Sequence, residues 1–325
     1  MYFSPTQLTM FTRDAIRVDG GVPLHIFAYR VPKLATLFHH RHSIGSSELE
    51  PEREMTDLTQ KDLDSSQWGI LVSRYSRLGL SNPGDKLLAL SAAAEAYGKA
   101  YSDKYAEERR YMAGLWAEHM PFGLLWSLTG NPISYRPSYR APSWSWASID
   151  GEVHFHDERQ STHDLPCLTA KVLSFDTQLA LSAAPYGQVT GAQLRIEGLM
   201  KDGFHCAVAD QWIRMSDPEH DFTGLAMLDA LEPSLTWLPN PNLGFTVSIM
   251  CIFRLPQTQK ELDVLDDSYG PGTEHRFYGL VLRETEQEAV YSRIGLFWLS
   301  EMNPLEANRT QNWQASFRKR TVTLV

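Results

Sequence analysis

Two tryptophans one residue apart, shortly before an Asp-Gly step, limit most tightly what this chain can fold into; the run reads Tyr139-Arg140-Ala141-Pro142-Ser143-Trp144-Ser145-Trp146-Ala147-Ser148-Ile149-Asp150-Gly151. As a strand it sends Trp144 and Trp146 to one face and Ser143, Ser145 and Ala147 to the other, because side chains alternate along an extended backbone. Asp150-Gly151 offers the positive φ of a tight turn and Glu152 to His156 the returning arm, so the segment predicts a β-hairpin. Two large aromatics on one face anchor a core. The alternative is the wall of a ligand pocket, which Tyr135, Tyr139 and Arg140 would complete. Arg140 can equally pair with Asp150 and hold the hairpin.

The rest of the chain divides by pattern. Apolar residues at spacings of three and four predict a helix over Gln67 to Ser76 and a second after Ser81-Asn82-Pro83, where Leu87, Leu88, Leu90, Ala94 and Tyr97 share a face. Tyr111 to Trp116 and Leu124 to Trp126 read as short helices split by Pro121. From Pro132 onward Pro, Tyr, Trp, Val and Thr enrich. Strand composition marks Ala170 to Phe175, Gln193 to Gly198, Thr246 to Leu255, Arg276 to Arg283 and Val290 to Leu299. Gln257 to Thr273 and Pro304 to Gln311 read as loops. The expected fold class is α+β, a helical N-terminal third packed on a β-rich remainder that forms a sandwich or open barrel. In domain terms, 1–130 is largely helical with a mobile, acidic loop at 46–64, 131–325 is β-rich, and the two make one compact unit.

Composition removes several function classes. With 325 residues, 43% hydrophobic and 21% charged, the chain can bury a large core. A net charge of −9 leaves no basic surface for phosphates, and Arg318-Lys319-Arg320 is too short to make one, so no nucleic-acid partner is expected. Cys167, Cys206 and Cys251 are too few and too scattered for a disulfide framework or a closed zinc site. No run is apolar enough to cross a bilayer, and Arg13, Asp14 and Arg17 interrupt any signal-peptide core, so a cytoplasmic protein without a membrane partner is expected.

An ordered set of elements resembles the region downstream of the effector domain in fungal heterokaryon-incompatibility (HET) domain proteins. It comprises Trp68, Tyr75-Ser76-Arg77, the run from Leu80-Ser81-Asn82-Pro83-Gly84-Asp85-Lys86-Leu87 to Ser91, Ala113-Gly114-Leu115-Trp116, Leu124-Leu125-Trp126, the tryptophan pair, Gly279-Leu280-Val281-Leu282 and Tyr291-Ser292-Arg293-Ile294-Gly295-Leu296-Phe297. The resemblance spans roughly residues 65 to 299. The family's effector domain, with its strand reading like Tyr-x-x-Leu-Ser-Tyr-x-Trp-Gly, has no counterpart here. The resemblance therefore implies either a regulatory remnant or a downstream fold put to independent use.

For chemistry, His154 and His156 have a His-x-His spacing that can place two imidazoles on one ion, with Asp157, Glu158 and His163 nearby. The Glu and Gly spacing that would follow in a cupin-type motif is missing, so no metal is expected, and the pair remains the weak candidate for one. His39-His40-Arg41-His42 is a second, weaker cluster. Gly-x-Ser-x-Gly and phosphate-binding glycine loops are absent, so no cofactor is expected. Acid–base candidates are Asp150, Glu152, His154, His156, Asp202, His205 and Asp210. Two readings follow. One is a cofactor-independent cyclase or isomerase of fungal specialised metabolism, folding a small hydrophobic metabolite in an aromatic-lined pocket. The other is a non-catalytic recognition or regulatory module whose partner is a protein.

Overall fold

The computed structural model describes residues 60–106, 109–129, 134–156, 167–209, 212–217, 222–231, 245–254, 275–300 and 315–325. The expected loop at 46–64, apart from 60–64, lies outside them, as do residues 39–42, Asp157, Glu158, His163, Asp210 and the loops 257–273 and 304–311.

Two α-helices open the described chain: α1 (Gln60–Ser76) and α2 (Lys86–Tyr105). Asn82 accepts a hydrogen bond from Gly84 N–H and Pro83 starts a single 3₁₀ turn that feeds α2. Leu87, Leu90, Ala94, Tyr97 and Tyr101 make its buried face, at helical spacing. It ends at Ala106 in a left-handed conformation, whose N–H closes on the Ser102 carbonyl.

After α2 the helical expectation fails. Tyr111 to Trp116 forms a tight hairpin of β1 (Tyr111–Met112) and β2 (Leu115–Trp116), turning through Ala113 and Gly114 at φ of 44° and 99°. Beyond single 3₁₀ turns comes β3 (Trp126–Leu128), which pairs antiparallel with β4 (Val153–Phe155). Strand accounts for 47% of the described residues and helix for 25%. The fold is therefore mostly β, and the α+β arrangement with a helical N-terminal third is corrected. The three- and four-residue spacing in Tyr111 to Trp126 belongs to residues of short strands and single 3₁₀ turns, where periodicity is a weak guide.

The remaining strands are β5 (Cys167–Leu168), β6 (Ala170–Leu179), β7 (Val189–Ala209), β8 (Trp212–Asp217), β9 (Phe222–Leu228), β10 (Phe245–Arg254), β11 (His275–Glu284), β12 (Val290–Ser300) and β13 (Arg318–Leu324). The long β7 does two jobs. Its second half pairs with β8 on one side and β10 on the other, and the order β7-β8-β9-β12-β11-β10 returns to β7. The result is a closed ring of six antiparallel strands, where the sequence left a sandwich or open barrel. Its first half pairs with β6 and with β13, which also touches β12 in parallel register.

Closure creates two cores. Phe204, Cys206, Met215, Val247, Ile249, Val281, Phe297 and Phe317 fill the interior, as side chains do in a narrow barrel. The outward faces of the same strands, through Met200, Met250, Ile252, Leu280, Leu282 and Leu296, receive the N-terminal helices and all the buried tryptophans. Strands approach closely at Gly279, where an added Cβ would lie 2.0 Å from the Met250 carbonyl oxygen. The signature segment lies in this outer core.

Candidate functional site

Residues 140 to 149 are buried without a break. They do not form the expected strand: Ser145 caps a 3₁₀ turn over Trp146–Ser148 through a hydrogen bond from Ala147 N–H to its Oγ. Gly151 does adopt a positive φ of 114°, but the arm that follows it, β4, pairs with β3 rather than with the tryptophan segment. The expected hairpin is thus corrected. The serine side chains, short and able to satisfy backbone groups locally, favour a turn over a ladder.

The segment acts as a clasp between elements distant in sequence. Trp146 Nε1 donates to the Gly114 carbonyl at 2.8 Å, and Trp68 Nε1 donates to the same oxygen at 3.0 Å. Gly114 is required there, because a Cβ would lie 2.7 Å from Trp146 Nε1. Ser145 Oγ donates to Ala113 O, and Trp126 Nε1 to Trp144 O. Ser143 bonds the Val325 carbonyl through both its N–H and its hydroxyl, while that Oγ accepts from Arg293 N–H. Trp144 and Trp146 are 0% exposed, so neither indole reaches a solvent-connected surface. Tyr135 and Tyr139 stand out at 49% and 55%, and do not join the indoles in one wall.

Buried cations tie the clasp down. Arg140 donates to the carbonyls of Ala147 and Ile149 and pairs with Asp150 at 2.6 Å. Lys86 sends its Nζ to the same Ile149 carbonyl and lies over the Trp146 ring, while Tyr75 donates to the Lys86 carbonyl. Burial first, then the Arg140 charge, push the Lys86 ammonium down to about 7, partly opposed by Asp150. The unfolded chain therefore holds a proton on this amine between pH 7 and 10.5 that the folded one releases, so stability rises with pH across that window. Lys86→Met is expected to remove that slope, about 1.4 kcal/mol per pH unit where the two states differ by one proton. Ile149 O keeps Arg140 as a donor, so the substitution orphans no carbonyl. Urea unfolding at pH 7.5 and 9 measures it; an unchanged slope would show that Lys86 is not the titrating group.

The imidazoles sit elsewhere, on and just beyond β4. His154 is exposed and His156 half-buried, with ring centroids 5.2 Å apart. His156 Nε2 lies 2.7 Å from Ser127 Oγ. Burial, then His154 and Arg293, hold the His156 imidazole down at about 4. A base that weak is poorly matched to deprotonating a serine near neutral pH. No group of three or more His, Cys, Asp or Glu among the described residues could hold a metal ion. The folded chain resists protonating His156, so stability should fall as pH drops from 6.5 towards 4. The double variant Ser127→Ala/His156→Phe is expected to flatten that limb in a thermal-melt series.

The other candidates do not converge. His205 is half-buried on β7, in register with Ser216 and Thr246. Asp202 is bound at the surface by Arg320 at 2.6 Å and accepts from Ser248. The Cys206 thiol lies in the barrel interior, pushed up to about 12 by burial, and so is unreactive. Cys251 is buried too, and Cys167 lies on β5.

Sequence reasoning missed the most enclosed charge pair. Arg293, 0% exposed, grips Asp229 with two bonds of 3.0 Å, donates to the carbonyls of Leu124 and Trp126, and stacks on the Trp126 ring at 3.5 Å. Arg136 adds a second cation 3.5 Å from Asp229. These partners lie far apart in the chain, and only the Tyr-Ser-Arg run at 291–293 hinted at them. A groove of about 590 Å³ also escaped notice; it runs beside β6. None of the described helices is long and apolar enough to cross a membrane. Compared with protein-family models, curated proteins and solved structures, the chain gives no match.

Proposed function

We propose that the chain is a non-catalytic recognition module built on a fold like the one downstream of the effector domain in HET proteins. One observation carries the reading: most of the polar groups that the resemblance singles out are spent within the fold. Trp68, Tyr75, Lys86, Trp126, Trp146 and Arg293 each hydrogen-bond within the outer core. A catalytic pocket would leave some of these groups aimed at an open space. Among the described residues the tryptophan face offers a metabolite no such space, which disfavours the cyclase or isomerase reading. A rigid clasp that holds two helices on a barrel is instead a scaffold for presenting surface.

The test is paired. The purified chain is incubated with small-molecule extract of its producing organism and examined by native mass spectrometry, and proteins co-purifying with it from the same cells are measured in parallel. The expected result is no retained metabolite and a stoichiometric protein partner. A metabolite retained by the wild type and lost with Tyr139→Ala, a surface change, would overturn the proposal.

A further inference from the structure

Among the described residues, one edge of β6 is open: the strand hydrogen-bonds only to β7, along Ala170 to Leu179, so the other side of a ten-residue strand keeps its backbone donors and acceptors unpaired. The groove follows the start of this edge: every residue from Leu168 to Phe175 lines it, those of both strand faces alike, and Glu197 of β7 and Lys319 of β13 carry it on over one face of the sheet. Met120, Pro121, Val172 and Phe175 give it an apolar side. Leu168 and Leu173 are 53% and 43% exposed there, and the register slips from Val172↔Ile196 to Ser174↔Arg195, which leaves Leu173 as the extra residue of a bulge.

Charge selects the occupant. Arg110, Lys171 and Lys319 line the groove against the single carboxylate Glu197, which Lys319 already engages at 2.6 Å. Glu118 lies 3.6 Å from Arg110, whereas Lys171 has no carboxylate partner among the described residues. The groove is thus a positive place on a chain of net charge −9. Lysines and bulges on open edges discourage pairing with arbitrary strands. For a strand whose own side chains are acidic, the lysine becomes an attraction.

We infer that this edge binds an extended acidic peptide segment of a partner protein, as an added strand beside β6. Backbone hydrogen bonds supply affinity, and alternate side chains supply selection: carboxylates towards Lys171 on the exposed face, apolar residues towards Val172 and Phe175, over whose ring Arg110 lies. At roughly 3.3 Å per residue the lined stretch accommodates about six to eight residues. The inference rests on the recognition-module reading and names the chemistry of its partner.

The probe is a displayed library of random nonapeptides selected on the immobilised full chain, followed by synthesis of the most enriched sequence. Enrichment of proline-free segments alternating Asp or Glu with apolar residues is expected. Lys171→Glu should weaken the synthetic peptide by about fivefold or more, near 1 kcal/mol. Methylating alternate backbone nitrogens of the peptide along one edge should abolish binding. Absence of enrichment, enrichment of basic peptides, binding indifferent to both changes, or occupation of the edge by a second copy of the chain in sedimentation would each overturn the inference. A co-purifying partner held equally well by Lys171→Glu would sink the edge while leaving the module reading intact; a retained metabolite would sink the module reading whatever the peptides do.

Discussion

Asp229→Asn is expected to lower stability by about 3–5 kcal/mol, enough to leave most of a marginally stable chain unfolded. The aspartate is 1% exposed and is the counterion of a guanidinium with no access to water. Burial lowers Arg293 only to about 10, so it keeps its proton at neutral pH and the variant strands a full charge in the outer core. The two carbonyl bonds to Leu124 and Trp126 remain but are neutral acceptors. Arg136, 3.5 Å from the same carboxylate, makes matters worse, since a second cation then loses its partner. Arg293→Met should cost less than the asparagine variant in charge terms, because Asp229 retains Arg136. A double-mutant cycle in urea should therefore show that Asp229→Asn/Arg293→Met loses clearly less than the sum of its parts. Additive losses would mean that the pair is not energetically coupled, and that the β9–β12 junction is held by its strand ladder and packing.

How much of this could be read from the residues follows from the range of the forces involved. Helix α2 was legible because its start signal at Asn82-Pro83 and its apolar spacing are local. The later strands were legible from composition, since Val, Ile, Phe and Thr suit a pleated surface whatever they pair with. Barrel closure was not, because it depends on β7 changing partners between its halves, from β6 to β10, and nothing local in Val189 to Ala209 announces that. The hairpin at Tyr111 to Trp116 had a signal that aromatic spacing overrode: Ala113-Gly114 is a turn pair, and Gly114 must be glycine to meet two indoles. The tryptophan segment was misread as a strand because alternation of Ser and Trp mimics a half-buried strand when in fact every residue is buried and the serines bond the backbone.

That last misreading shaped the choice between a pocket and a core, and the two indoles can be made to decide it. Trp146→Ala is expected to cost about 3–5 kcal/mol, the range for deleting a buried aromatic whose surroundings cannot collapse. It removes an edge-on contact with Tyr75 at 5.9 Å and the surface under Lys86, although Gly114 O keeps its bond from Trp68. The finer comparison is with phenylalanine. Trp146→Phe loses a buried hydrogen bond along with part of the ring, so a loss of roughly 1–3 kcal/mol is expected. Trp144 is equally buried, yet its Nε1 donates to nothing among the described residues. Trp144→Phe removes a donor that is already costing free energy, and should therefore be the milder of the two. Denaturant midpoints of the two phenylalanine variants test this ordering directly. Equal stability of both with the wild type, together with loss of a bound metabolite, is the pattern that a pocket wall would give, and it would return the tryptophan pair to chemistry.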